Sequence, residues 1–206
     1  MKIQPIVEGH GEVRAVPVLL RRFQSELGIY DFQLARPIRR TRSQLVTEEQ
    51  VRRSVRLAMG THQCGGILIV LDGDDDCPAT LGPAIQSWAQ LEAGEILCQV
   101  VLAQREYEAW FIATVESLRN LRGIRVDATS PSSPESIRDC KKAFEERMIA
   151  HSSYSPAVNQ EYFTACMNLE AAYRACRSFR RAAAAFGKLA GAAGSPVRNW
   201  PPQSWL

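Results

Sequence analysis

The apolar and polar positions divide the chain into a first half in which strands alternate with helices and a second half patterned for helices alone. Residues 2–7 (KIQPIV) form a short apolar segment that Gly9 and Gly11 break, and they predict a strand. Val16, Leu19, Leu20, Phe23 and Leu27 then fall at helical spacing, and Gly28 stands where a left-handed residue ends a helix. Pro17 is tolerated in a first helical turn, which puts the expected start of that helix near it. Residues 31–38 are a weaker second strand. Thr47-Glu48-Glu49-Gln50 has the form of a capping box and opens a helix running through Met59. Ile67 to Leu71 is an unbroken apolar run between Gly65-Gly66 and Gly73, the pattern of a central strand buried on both faces. Leu81, Ile85, Trp88 and Leu91 mark a third helix, residues 95–103 a fourth strand, and Trp110 to Leu118 a helix beginning near Arg105. This order predicts an open parallel sheet, in which ligands bind beyond the carboxyl ends of the strands.

After about residue 120 the pattern changes. A Ser/Pro loop (127–136) leads into helices expected over 135–150, 157–176 and 178–191. From Ser195 onward Pro196, Pro201 and Pro202 exclude a regular helix, and Trp200 and Trp205 favour a docked tail over a disordered one.

An apolar content of 46% against 23% charged residues excludes a disordered or fibrous chain. No apolar run approaches the roughly 18 to 20 residues of a membrane helix, and the strand-like start replaces any signal-peptide pattern, so a cytoplasmic protein is expected. The six cysteines, at 64, 77, 98, 140, 166 and 176, form no CxxC pair and read as reduced, mostly buried side chains. Charge is unevenly spread. Residues 1–60 carry 11 Lys/Arg against 6 Asp/Glu, residues 61–165 carry 8 against 15, and residues 166–206 carry 6 against 1. An acidic centre between basic flanks suits a metal site next to phosphate-attracting surface. Of the 25 basic residues 21 are Arg, whose fork matches phosphate oxygens, although coding bias and solvated helix faces explain the excess about as well.

Two acidic constellations follow the first and third strands and therefore share one end of the predicted sheet: Glu8-Gly9-His10-Gly11-Glu12 and Asp72-Gly73-Asp74-Asp75-Asp76. If they converge, their repulsion calls for a cation, and an all-oxygen ligand set selects Mg²⁺ or Mn²⁺ over zinc. Glu8, Glu12, Asp72 and Asp74 are the candidate catalytic residues and, with Asp76, the candidate ligands; His10, Glu106 and Glu108 are additional candidates. Ordinary alternatives exist: Asp74 to Asp76 as a solvated loop, Glu12 as an acid favoured in a first helical turn, His10 as a loop residue. Arg39, Arg40, Arg42, Arg105, Arg180 and Arg181 are candidate contacts to a nucleic-acid backbone.

An apolar strand ending in Glu-Gly, then a helix, then an apolar strand ending in Asp-x-Asp resembles the TOPRIM domains of topoisomerases, primases and OLD-family nucleases over roughly residues 1 to 115. More closely, VEGHGEVRAVPVLLRR, LDGDDDCPA, REYEAWF and SFRR resemble a TOPRIM-like bacterial family, the domain of unknown function 4276, often encoded near ATPase genes. The resemblance implies that Glu8 acts as general acid/base or ligand, that Asp72 and Asp74 hold Mg²⁺, and that Glu12 shares a second ion in the OLD manner. It departs from topoisomerases in having no separate domain with an active-site tyrosine. The expected architecture is therefore α/β: a TOPRIM-like parallel sheet of about four strands flanked by helices (1–120), a C-terminal helical extension (121–194) and a Pro/Trp-rich tail (195–206). The expected function is Mg²⁺-dependent cleavage of nucleic acid, DNA before RNA, with a separate AAA- or ABC-type ATPase as partner in a phage-defence or DNA-maintenance system and a homodimer left open. The alternatives are a regulatory subunit that binds without turnover and a TOPRIM ribonuclease. A haloacid-dehalogenase-type phosphatase is set aside because its Asp-x-Asp pattern wants Thr where this chain has Asp76.

Overall fold

The computed structural model describes residues 1–195 and 197–206; Pro196, one of the prolines of the tail, lies outside the described residues. Its centre is a parallel sheet built from β1 (Lys2–Val7), β2 (Gln33–Leu34), β3 (Ile38–Arg39), β4 (Cys64–Asp72) and β5 (Leu97–Ala103). The order is β2-β1-β4-β5, with β3 also on the outer side of β1. The second predicted strand is thus two short pieces separated by Pro37, which can extend no hydrogen-bonded ladder through its nitrogen.

The β4 register explains its apolar run. It pairs with β1 (Val7 with Val70) and with β5 (Asp72 with Ala103), so both of its edges are used. Both faces are covered as well. Leu68 and Val70 join Ile3 and Val7 in a core under α1 (Glu12–Leu27) and α8 (Arg177–Ala192), while Ile67, Ile69 and Leu71 join Ile6 under α2 (Glu48–Met59) and α3 (Pro78–Ala93). A strand enclosed on all sides has no position where a polar residue is stable until its end, where Asp72 sits.

α1 begins at Glu12, five residues before Pro17, which is buried inside the helix. Gly28 ends it at φ 68°. Thr47 stands at the start of α2, but its side chain makes no capping hydrogen bond. The second half is more broken than its periodicity predicts. A five-residue α4 (Glu108–Ile112) is followed by a 3₁₀ turn, α5 covers only Cys140–Glu145, and the predicted 157–176 helix is two, α6 (Pro156–Cys166) and α7 (Leu169–Ala175). Asn168 separates them by accepting a hydrogen bond from the Ala171 N–H, which starts a new helix. α8 lies across β5 and β4 on the face that α1 also covers.

The tail is docked. Trp205 is buried, Trp200 packs edge-to-face with Phe23 of α1 and Phe186 of α8 at 5.4 Å from each, and its indole N–H donates to the Ala183 carbonyl. The six cysteines are unpaired: Cys98, Cys140 and Cys176 are buried, Cys64 and Cys166 half-buried, and Cys77 exposed.

Where the sheet reverses direction the site is prepared. The chain leaves β1 through α1 toward β2 and β3 on one side and leaves β4 through α3 toward β5 on the other, with the two helices on opposite faces. The loops after β1 and β4 therefore diverge and leave a crevice between the carboxyl ends of these strands.

Candidate metal centre

Glu8 follows Val7 at the end of β1, and Asp72 closes the adjacent strand. The Asp72 backbone lies beside the Glu8 carboxylate, whose Oε2 is buried and has no hydrogen-bond partner. Glu12, buried in the first turn of α1, folds back to accept the Gly9 N–H, with Gln160 of α6 beside it. Packing explains the glycines better than backbone freedom does, since Gly11 has an ordinary φ of −68°. A Cβ on Gly9 would lie 2.8 Å from Glu12 Oε2, and one on Gly11 would lie 1.9 Å from Gln160 Oε1 and 2.7 Å from the Pro156 carbonyl.

The second acidic loop is held against the continuation of β5. The Gly73 and Asp74 N–H groups donate to the Ala103 and Arg105 carbonyls, both at 2.7 Å. Asp74 takes a left-handed conformation, φ 45°. Asp72 Oδ1 accepts the Tyr107 N–H at 2.8 Å, which fixes the carboxylate toward the crevice. Asp72, Asp74 and Glu106 each present an oxygen within 4.8 Å of the others, a spacing that one ion can bridge. Glu108, in α4, is fully buried; its Oε1 accepts the Tyr154 hydroxyl at 2.7 Å and its Oε2 has no partner.

Two cations of the chain enter the cluster. Lys141 Nζ lies 3.0 Å from Glu106 Oε1 and 3.6 Å from Asp72 Oδ2, and its backbone N–H donates to Glu106 Oε2. Arg42 reaches in from the opposite side, donating to the Asp72 carbonyl at 2.7 Å and pairing with Asp74 at 3.1 Å, with Asp76 and, at 3.6 Å, with Glu8.

The acids still outweigh this compensation. Burial raises the pKa of Glu8, partly offset by Arg42. Burial, joined by the charges of Glu108 and Glu8, pushes Glu12 up to about 7. Asp72 is held well above its ordinary value by burial and by Glu12 and Glu108, and Glu108 is raised by burial against the pull of Lys141. Burial alone would lower Lys141, but the charges of Glu108, Asp72 and Glu106 raise it instead. Four acids whose charged forms are all disfavoured make a place that a divalent cation would stabilise.

The fold thus gathers Glu8, Glu12, Asp72, Asp74, Glu106 and Glu108. Asp76 is exposed and turned to Arg42, and His10 is exposed on the turn before α1. Among the arginines, Arg42 belongs to the acidic cluster, Arg105 pairs with Asp75 at 2.6 Å, and Arg180 donates to the Tyr173 and Arg174 carbonyls at the end of α7. Arg39 and Arg181 are exposed and Arg40 is half-buried. Lys141, Tyr154 and Gln160 escaped the sequence reading, because nothing local marks a side chain whose partners lie 35, 46 or more residues away.

The family model described as Domain of unknown function (DUF4276) matches residues 7–184. No curated protein and no solved structure matches the chain.

Proposed function

Because the chain belongs to this DUF4276 family and gathers six carboxylates at the reversal point of its sheet, we propose that it is a Mg²⁺- or Mn²⁺-dependent enzyme cleaving phosphodiester bonds of nucleic acid. The observation that carries the reading is the approach of Asp72, Asp74 and Glu106 to within 4.8 Å beside buried oxygens of Glu8 and Glu108 that have no hydrogen-bond partner. All donors are oxygens, which fits a hard divalent ion. Asp72, Asp74 and Glu106 would hold one ion; Glu12 and Glu108 would be the donors for a second. Such an ion supplies charge neutralisation at a phosphoryl oxygen.

The chain's own groups complete the chemistry. Glu8, whose raised pKa makes it a better proton acceptor than an ordinary carboxylate, takes the proton of the attacking water. Lys141 keeps its proton and places positive charge beside Asp72, where a phosphate entering the crevice would meet it. The motif order resembling TOPRIM and OLD nucleases supports DNA as the substrate, and the family's proximity to ATPase genes supports a separate ATPase partner. Among the described residues no helix is long and apolar enough to cross a membrane.

Arg42 favours a second reading. An arginine that pairs with Asp74 and Asp76 can neutralise the acids without an ion, as a regulatory subunit that binds and does not cleave would require.

The test is Mn²⁺ and Mg²⁺ titration calorimetry on the wild type and the Asp72→Asn/Asp74→Asn variant, followed by incubation with plasmid, single-stranded DNA and structured RNA, with and without the neighbouring ATPase. Metal binding and cleavage that disappear together in the variant support the enzyme. No cleavage of any substrate, with or without metal binding, supports the regulatory subunit, and no metal binding refutes the enzyme.

A further inference from the structure

β5 is the last strand of the sheet, and among the described residues its outer edge has no strand partner. Two amides of α3 take over part of that edge. Gln86 bonds the Cys98 carbonyl and the Val100 N–H, and Gln90 bonds the Ile96 carbonyl and the Cys98 N–H, at 2.8 to 3.1 Å. Beyond Val100 the edge is open. There two cavities of about 260 and 480 Å³ share Pro78, Ala79, Leu102 and Arg181 and form one groove between α3 and α8. Its upper end reaches Gln104, the residue between the two carbonyls that hold Gly73 and Asp74.

The floor is apolar and the rim is mostly basic; its one acid, Glu135, accepts the Arg177 and Ser178 N–H groups at 2.8 Å each at the start of α8. Arg177, Arg181 and Lys188 are exposed, border the groove from α8, and form no ion pair among the described residues. Arg177 and Arg181 are one turn apart, about 6 Å along the axis, on the order of the separation of successive phosphates in an extended strand. The geometry points to this groove as the track for a single-stranded segment of nucleic acid leading to the acidic centre, with bases on the floor formed by Pro78, Ala79 and Leu102 and phosphates on Arg177, Arg181 and Lys188. It rests on the reading that the centre acts on nucleic acid. Charge selects a polyanion, and an acidic peptide added as a strand would find only the short stretch of edge beyond Val100, because Gln86 and Gln90 already hold the backbone groups before it.

Cys77 lines the groove and is the exposed cysteine, which makes it a positional reporter. The experiment measures binding of labelled dT10 and U10 in chelator by anisotropy, together with the alkylation rate of Cys77 read by peptide mapping. Wild type is compared with an Arg177→Gln/Arg181→Gln/Lys188→Gln variant. We expect a log–log salt slope near −2, from about 0.7 per phosphate at three contacts, and Cys77 alkylation slowed several-fold by oligonucleotide. The triple variant should bind at least tenfold more weakly, lose the Cys77 protection and titrate Mn²⁺ as the wild type does. DNA and RNA are told apart by which oligomer protects.

Three results would overturn the inference: no binding of either oligomer by the wild type, equal binding by the triple variant, or protection of Cys77 by a poly-Glu peptide and not by oligonucleotide. The two readings fail separately. Oligonucleotide protection retained in a protein that cleaves nothing removes the enzyme and keeps the track, whereas cleavage that survives the triple substitution with Cys77 unprotected does the reverse.

Discussion

Replacing Glu12 by Gln should stabilise the metal-free protein at alkaline pH, and the size of the effect follows from its burial. Glu12 is 5% exposed, and its carboxyl is raised from 4.5 to about 7 by that burial and by Glu108 and Glu8. Between these values the folded chain keeps a proton that the unfolded chain has released, so stability falls as pH rises through the interval. The penalty is absent below about pH 4.5 and complete above about pH 7. At about 1.4 kcal/mol per tenfold, the shift amounts to roughly 3 kcal/mol as an upper bound. Gln carries no charge and keeps an oxygen to accept the Gly9 N–H, so Glu12→Gln removes the penalty and preserves that bond. In a chain of this size 1 kcal/mol moves Tm by about 2–4 °C, which gives a rise of up to about 10 °C at pH 8. The assay is thermal unfolding in chelator at pH 5 and pH 8. A difference between variant and wild type that is equal at both pH values, or a variant that melts lower at pH 8, would refute the argument.

Three further outcomes are expected. Gly11→Ala drives a methyl into Gln160 and the Pro156 carbonyl, so it should cost about 1–3 kcal/mol by denaturant unfolding as α6 is displaced. Lys141→Met removes the cation beside Asp72 and Glu106; because the ammonium is partly exposed the loss is about 1 kcal/mol in chelator, and millimolar Mn²⁺ should largely erase it in a thermal-shift assay. Trp200→Ala takes a ring from Phe23 and Phe186 and a hydrogen bond from Ala183, which should lower stability by about 2–4 kcal/mol in urea without changing Mn²⁺ titration at the distant acids.

The legible parts of the sequence were those dictated by local burial. A run such as Ile67 to Leu71 is stable only where neighbours cover both faces, so it announced a central strand and placed Asp72 at its end. Glu8 was legible for the same reason, as an acid directly after β1. The breaks in the C-terminal helices were not, because helical periodicity continues across Asn168 while a single side-chain bond starts a new helix there. Arg42 was read by charge as a phosphate contact, whereas its nearest partners are carboxylates: composition gives a residue's sign and not its neighbours. Lys141 and Gln160 reach the site only because α5 and α6 pack beside α4 and α1, and no spacing in the sequence encodes that approach.

Glu8, Asp72, Glu106 and Lys141 come from four segments spread over two thirds of the chain. The centre therefore exists only after contacts between distant segments have closed, and no single element contains it. Any ion held there recognises the finished fold and not its precursors, so its affinity adds to global stability, by about 2.7 kcal/mol at a hundredfold excess over Kd. Metal uptake would then serve as a clock for folding, registering the arrival of Glu106 and Lys141 at the ends of β1 and β4.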